Sequence, residues 1–252
     1  DYLQPFPEGN AANLVNMGRC VMVAACLRKD AKRMAVAQYF VNQIYEYVTI
    51  DQMGLGTDGG FFTDGSYIQH GVTPYHGSYG ISLMQGIPLV NYIAADTAFD
   101  NRGGISNNQF DFVTKSFMHV MYGNALMSTT NGRAVGTKKE KWNYQQLLIA
   151  FIQMYSYVPN EYKAEFGSVV RTLMYRCGSP LHTSVPIVFY DTALELWYDE
   201  SIPIIDTSYV KVMGNMARVV QHTPEYGVAI ALSNKRIVKY ESINGANFTG
   251  WY

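Results

Sequence analysis

The strongest restriction on how this chain can fold is a change in hydrophobic period near Pro203. Before it, apolar residues recur at helical spacing. Leu14, Met17, Val21, Ala24 and Ala25 make one stripe, closed by Arg28 and Lys29, whose charge suits a helix C-terminus. Ala37, Phe40, Val41, Ile44 and Val48 make a second. Further helices are predicted over 81–95 and 110–122, with the turn-rich 100–108 between them. Leu148, Phe151, Ile152 and Tyr155, then Phe166, Val169, Val170, Leu173 and Met174, mark two amphipathic helices parted by Pro159 and Asn160. Another helix is expected over 185–198. After Pro203 the period falls to two: Tyr226, Val228, Ile230 and Leu232 alternate with Gly227, Ala229 and Ala231. Ser233-Asn234-Lys235 predicts a turn and 236–241 its returning strand, with two more strands over 209–213 and 218–222. The chain therefore reads as α+β. Helical hairpins fill residues 1–205, with polar loops at one end, and an antiparallel β domain begins in 206–252.

Between the second and third helices lies 64–80, DGSYIQHGVTPYHGSYG. It holds three tyrosines, two histidines, four glycines and one acid, with no lysine or arginine. The glycines and Pro74 interrupt both periods, so an irregular loop is predicted. Long ordered loops usually form a site. His70 and Tyr79 are its chemically useful pair. One titrates near neutrality, and the other donates a proton once its pKa is lowered. The competing reading is a surface loop whose aromatic residues pack on the body of the protein.

Charge and composition narrow the partners. The formal net charge is −1, so no global positive field draws in a polyanion, and a nucleic-acid partner is not expected. Any acidic ligand would meet a local cluster. Twenty tyrosines suit sugar recognition, where aromatic faces stack and phenols bond to hydroxyls. No run of eighteen apolar residues occurs, so no membrane span is expected. Cys20, Cys26 and Cys177 form no metal pattern, and Cys20 and Cys26, six apart on a predicted helix, read as buried small hydrophobes. A monomer is expected.

The pattern DGS-[FY]-I-x-H-x(4)-Y-x-G-x-YG, with His70 and Tyr79 nine apart, closely resembles the catalytic loop of polysaccharide lyase family 8, the family of hyaluronate, chondroitin AC and xanthan lyases. Three other segments share the resemblance, which runs from about Asn13 to Tyr252. It implies an incomplete α/α toroid followed by the first strands of an antiparallel β-sandwich. It also implies that the chain is an internal piece of a longer secreted or periplasmic protein engaged in carbohydrate breakdown, glycosaminoglycans included. Its implied partner is an acidic polysaccharide. The implied reaction is β-elimination: the C5 proton beside a uronate carboxylate is removed and the C4 oxygen expelled. Charge then builds on an already anionic group, which must be neutralised or hydrogen-bonded. The elimination requires no cofactor or metal, and a structural calcium would be compatible with it.

The resemblance implies roles residue by residue. Asn13, in Ala-Ala-Asn-Leu-Val-Asn, would hold the carboxylate, although asparagine also favours helix caps for local reasons. His70 would act beside C5. Tyr79 would shuttle the proton, as general acid and, deprotonated, as candidate base. A phenol titrates near 10, so its charged form needs a cation nearby. Arg133, in Asn131-Gly132-Arg133-Ala134-Val135-Gly136-Thr137, matches the middle arginine of the family's R-G-R-x-I-S-R. Thr137 stands at its last arginine, followed by Lys138 and Lys139, so substrate preference is open. Glu241 and Asn244, in a segment resembling YE-x-x-N-x-E-N-x-x-GWY, would reach in from the β domain. Asn244, Lys138 and Gln69 are candidate substrate contacts. His76, His119, His182 and His222 read as structural or surface residues. Two alternatives remain open: an α/α glycoside hydrolase using Asp64 and a second acid such as Asp58, and a non-catalytic carbohydrate binder, which the loss of arginine at Thr137 makes conceivable.

Overall fold

The computed structural model describes residues 11–49, 59–100, 102–137, 139–206, 208–232, 234–238 and 240–242. Helix α1 (Ala11–Arg28) packs on α2 (Ala31–Asn42) and α3 (Tyr79–Ala94). Asp30 starts α2 by accepting the backbone N–H of Arg33 at 2.9 Å, one of the donors a helix start leaves unpaired. The expected second stripe runs past the helix. A 3₁₀ turn at Gln43–Tyr45 ends it, and Val48 lies in extended chain, donating its N–H to Phe61 O.

The stretch expected to be irregular is largely turn, but it contributes two strands to a small antiparallel sheet. Strand β1 (Gly59–Phe61) pairs with β2 (Tyr67–Gln69), and β2 with β3 (Thr73–Pro74). Its glycines and proline had hidden the strands because each is only two or three residues long. Phe61 stacks on Phe112, with centroids 3.9 Å apart, and this joins the sheet to the helical core. Phe112 opens a π-helical turn, Phe112–Phe117, set between short helices α4 (Asn108–Asp111) and α5 (Met118–Val120). The helix expected over 110–122 therefore stops early, and β4 (Met121–Tyr122) pairs with β5 (Ala125–Leu126). Helices α6 (Glu140–Tyr155) and α7 (Asn160–Cys177) flank Pro159 as expected. Their buried faces close the core through Phe117 on Phe151 and Phe110 on Phe166. Helix α8 (Tyr190–Tyr198) is shorter than the expected 185–198, because a 3₁₀ turn at Ile187–Phe189 precedes it.

Strands follow: β6 (Tyr209–Met213), β7 (Arg218–His222) and β8 (Gly227–Ala231), antiparallel in the order 6-7-8. Among the described residues of 236–241 the expected returning strand is absent. Asn234 Oδ1 instead accepts the N–H groups of Arg236 and Ile237, and the chain bends. The register sets Val210, Val212, Val219, Gln221, Val228 and Ile230 on one face, and most of these are exposed. Small residues of β8 turn inward, where a Cβ on Gly227 would lie 2.5 Å from the Tyr122 ring. Two cysteines also differ from expectation, since Cys20 and Cys26 are exposed; Cys177 is half-buried.

Candidate active site

The β2–β3 hairpin positions the first functional side chain. Gln69 pairs with Thr73, leaving His70, Gly71 and Val72 as a three-residue tip. His70 takes φ 53° and Gly71 φ 69°, a left-handed pair that turns the chain sharply. The base of the hairpin is stitched to the β6–β7 turn. Asp64 accepts from Ser66 N and, through its other oxygen, from Asn215 N, both at 2.9 Å. Ser66 Oγ accepts from Met216 N at 3.0 Å.

Tyr79 stands in the first turn of α3, entered through Ser78 at φ 59°, ψ −88°. A non-glycine residue in that region costs about 1–3 kcal/mol and persists only where its surroundings demand it. Arg133 comes from a 3₁₀ turn, Gly132–Thr137. The segment before it is fixed by a bridge from Tyr75 to Asn131 and by buried Arg218, whose Nε donates to Thr129 O at 2.9 Å. Glu241 arrives beyond the bend at Asn234, where Val238 N donates to Val72 O at the hairpin tip, 3.1 Å away.

Glu241 joins these segments. Its Oε1 lies 2.6 Å from His70 Nδ1, while Oε2 accepts from the Tyr75 hydroxyl at 2.5 Å and from Arg133 Nη1 at 3.0 Å. Arg133 Nη2 donates onward to the Tyr79 hydroxyl at 3.3 Å. The His70 and Tyr79 rings meet edge-on with centroids 4.8 Å apart. Because an ionised carboxylate only accepts, Nδ1 of His70 carries the proton and Nε2 is left to face another group. Burial opposes the charge on Glu241, but the bonds from Tyr75, His70 and Arg133 outweigh it and hold its pKa below the usual carboxylate value. Burial likewise opposes the Arg133 charge, yet the Tyr79 hydroxyl, Tyr75 and Glu241 raise its pKa. A fixed guanidinium beside the Tyr79 oxygen can stabilise negative charge developing there.

Four of the candidate residues are thus brought together: His70, Tyr79, Arg133 and Glu241. Asn13 is not bonded to them. It is exposed in the first turn of α1, inside the helix rather than at a cap, and Asn16 of the same helix donates to Ser82 Oγ on α3 at 2.7 Å. Gln69 does not suit the substrate contact expected of it. It is fully buried in the middle strand, and its Oε1 accepts the Tyr67 hydroxyl at 2.8 Å. Lys138 and Asn244 lie outside the described residues. Two of the histidines without motif support, His76 and His222, are fully buried. His76 bonds Ser116 Oγ at 2.8 Å, and His222 donates to His119 O at 2.8 Å between Tyr122 and Tyr209. Tyr75 was missed, although it is the fixed tyrosine five residues after His70 in the motif. No group of three or more potential metal ligands occurs among the described residues.

Comparison with family models matches residues 5–172 to the N-terminal α-helical domain of polysaccharide lyase family 8, and residues 208–252 to its super-sandwich domain. The chain belongs to polysaccharide lyase family 8. Helices α1–α6 and the short strands β1–β5 lie within the helical-domain match, the family's α/α toroid, and β6–β8 lie within the super-sandwich match. A hyaluronate lyase of Staphylococcus aureus (strain NCTC 8325 / PS 47) is 26% identical over 250 residues, which is 95% of this chain and 30% of that protein. A xanthan lyase of Bacillus sp. (strain GL1) is 26% identical over 263 residues, covering 100% of this chain and 27% of the relative. The chain therefore spans less than a third of the length of either. The solved chondroitin AC lyase of Streptomyces coelicolor A3, in complex with chondroitin sulphate, shares the fold with a TM-score of 0.82. It is 21% identical and matches 96% of this chain and 34% of its own.

Proposed function

We propose that this family 8 chain carries the catalytic centre of a lyase that cuts a uronate-containing polysaccharide, of hyaluronan, chondroitin or xanthan type, by β-elimination. The observation that supports it is the convergence on Glu241, through which one carboxylate orients both the imidazole of His70 and, by way of Arg133, the phenol of Tyr79. In this reading Asn13 and His70 hydrogen-bond the substrate carboxylate, which lowers the cost of charge building at C5. Tyr79, deprotonated, takes the C5 proton. The C4–O bond breaks as the C4=C5 double bond forms, and the Tyr79 hydroxyl returns the proton to the leaving oxygen. Arg133 stabilises the phenolate stage. The elimination draws on no cofactor, and the protein acts outside the cell or in a periplasm. Asn244 and Lys138 would contact the glycan.

The hydrolase reading loses support from Asp64, because both of its oxygens accept backbone N–H groups. A panel of acidic polysaccharides given to the full-length protein tests the proposal by ultraviolet absorbance. A lyase creates an absorbing unsaturated uronate. New reducing ends without absorbance would indicate a hydrolase, and binding without either would indicate a non-catalytic relative.

A further inference from the structure

Tyr75 belongs to the cluster, yet the elimination leaves it no proton to move. Its hydroxyl donates to Glu241 Oε2 and accepts the backbone N–H of Arg133, at 2.5 and 3.3 Å. Its ring meets His70 and Tyr79 edge-on, with centroids 5.6 and 4.9 Å away. The ring is fully buried and has nowhere else to go. Beneath it lies Gly132, where a Cβ would sit 2.3 to 2.6 Å from three of its atoms.

Arginine and a carboxylate prefer a two-pronged pairing, fork to fork. At this site Arg133 gives Glu241 only Nη1 and keeps Nη2 on Tyr79, while the other Glu241 oxygen serves His70. A two-pronged pairing would strip both proton-handling groups of their partner at once. We propose that Tyr75 is a positioning residue that prevents this, by occupying Glu241 Oε2 and pinning the Arg133 backbone so that the carboxylate stays divided between His70 and Arg133. Burial, and then the adjacent Glu241, push the Tyr75 hydroxyl well above the ordinary tyrosine value, so it remains a donor.

The inference rests on the lyase reading for its kinetic arm only. In the full-length protein, Tyr75→Phe is expected to lower kcat about 10- to 100-fold, the worth of one hydrogen bond to a charged group, with KM changed less than about 3-fold. In a Glu241→Ala background the same change is expected to alter kcat less than about 2-fold, since the group it positions is gone. Equal losses in both backgrounds, or no loss in the parent, would overturn the proposal. The second arm needs no turnover. Nitrogen-15 spectra of the His70 ring should show protonated Nδ1 in the parent and a mixture of tautomers in Tyr75→Phe. An unchanged ring would overturn the positioning role even if no polysaccharide is cut, whereas a silent parent with a shifted ring would defeat the lyase reading alone.

Discussion

Replacing Gly132 with alanine tests whether the floor beneath Tyr75 is as tight as the geometry shows. Gly132 has φ 51°, and a left-handed conformation costs an ordinary residue about 1–2 kcal/mol. The new methyl would also overlap the Tyr75 ring at 2.3 to 2.6 Å, and overpacking of a buried site adds about 1–3 kcal/mol. Together these give a loss of about 2–5 kcal/mol, or roughly 4–20 °C in melting temperature for a domain of this size. Gly71→Ala is the matched control. It has φ 69° but nothing within 4 Å of its Cβ, so only the conformational cost of about 1–2 kcal/mol applies. Thermal unfolding followed by circular dichroism compares the two. If Gly132→Ala melts no lower than Gly71→Ala, the ring is not trapped, and the argument that Tyr75 has no alternative position fails.

Tyr79→Phe should abolish turnover while leaving polysaccharide affinity nearly unchanged, since only the hydroxyl goes; retained turnover would remove Tyr79 from the chemistry. Stability should also fall in mild acid. Burial lowers His76 to about 3, His119 to about 3 and His222 to about 4. The unfolded chain, titrating near 6.5, binds more protons than the native one below that pH, so stability is full above 6.5 and is lost as pH falls toward 4. Between pH 6.5 and 5 the carboxylates stay charged, so a urea midpoint that is flat over that range would contradict the burial of these rings. On the sheet, Val220→Thr is expected to cost about 1–3 kcal/mol, because Val220 is buried, whereas Ile230→Thr on the open face should change stability by less than about 0.5 kcal/mol. Equal costs would mean the sheet faces are assigned the wrong way round.

How much was legible depended on how far the deciding contact lies along the chain. His70, Tyr79, Arg133 and Glu241 could be picked out by a long local pattern, and the helices around Pro159 by their stripes. Gln69 misled because one residue's place in a strand does not reveal that neighbours flank both sides, and β2 is the middle strand of three. Val228 and Ile230 showed the strand period but not which face turns inward. Tyr122, about a hundred residues earlier, decides that by leaving room only for Gly227. Tyr75 was readable as a tyrosine in a motif. Its task depends on Glu241, 166 residues away, and no spacing rule reaches that far.

The bond between His70 and Glu241 spans 171 residues. His70 therefore gains this carboxylate only when the segment beyond β8 reaches back to the hairpin, whose base is itself held by the β6–β7 turn. On the lyase reading, turnover is then a reporter of complete assembly, and a protease nick in the connector between α8 and β6 is expected to silence it while most of the secondary structure survives.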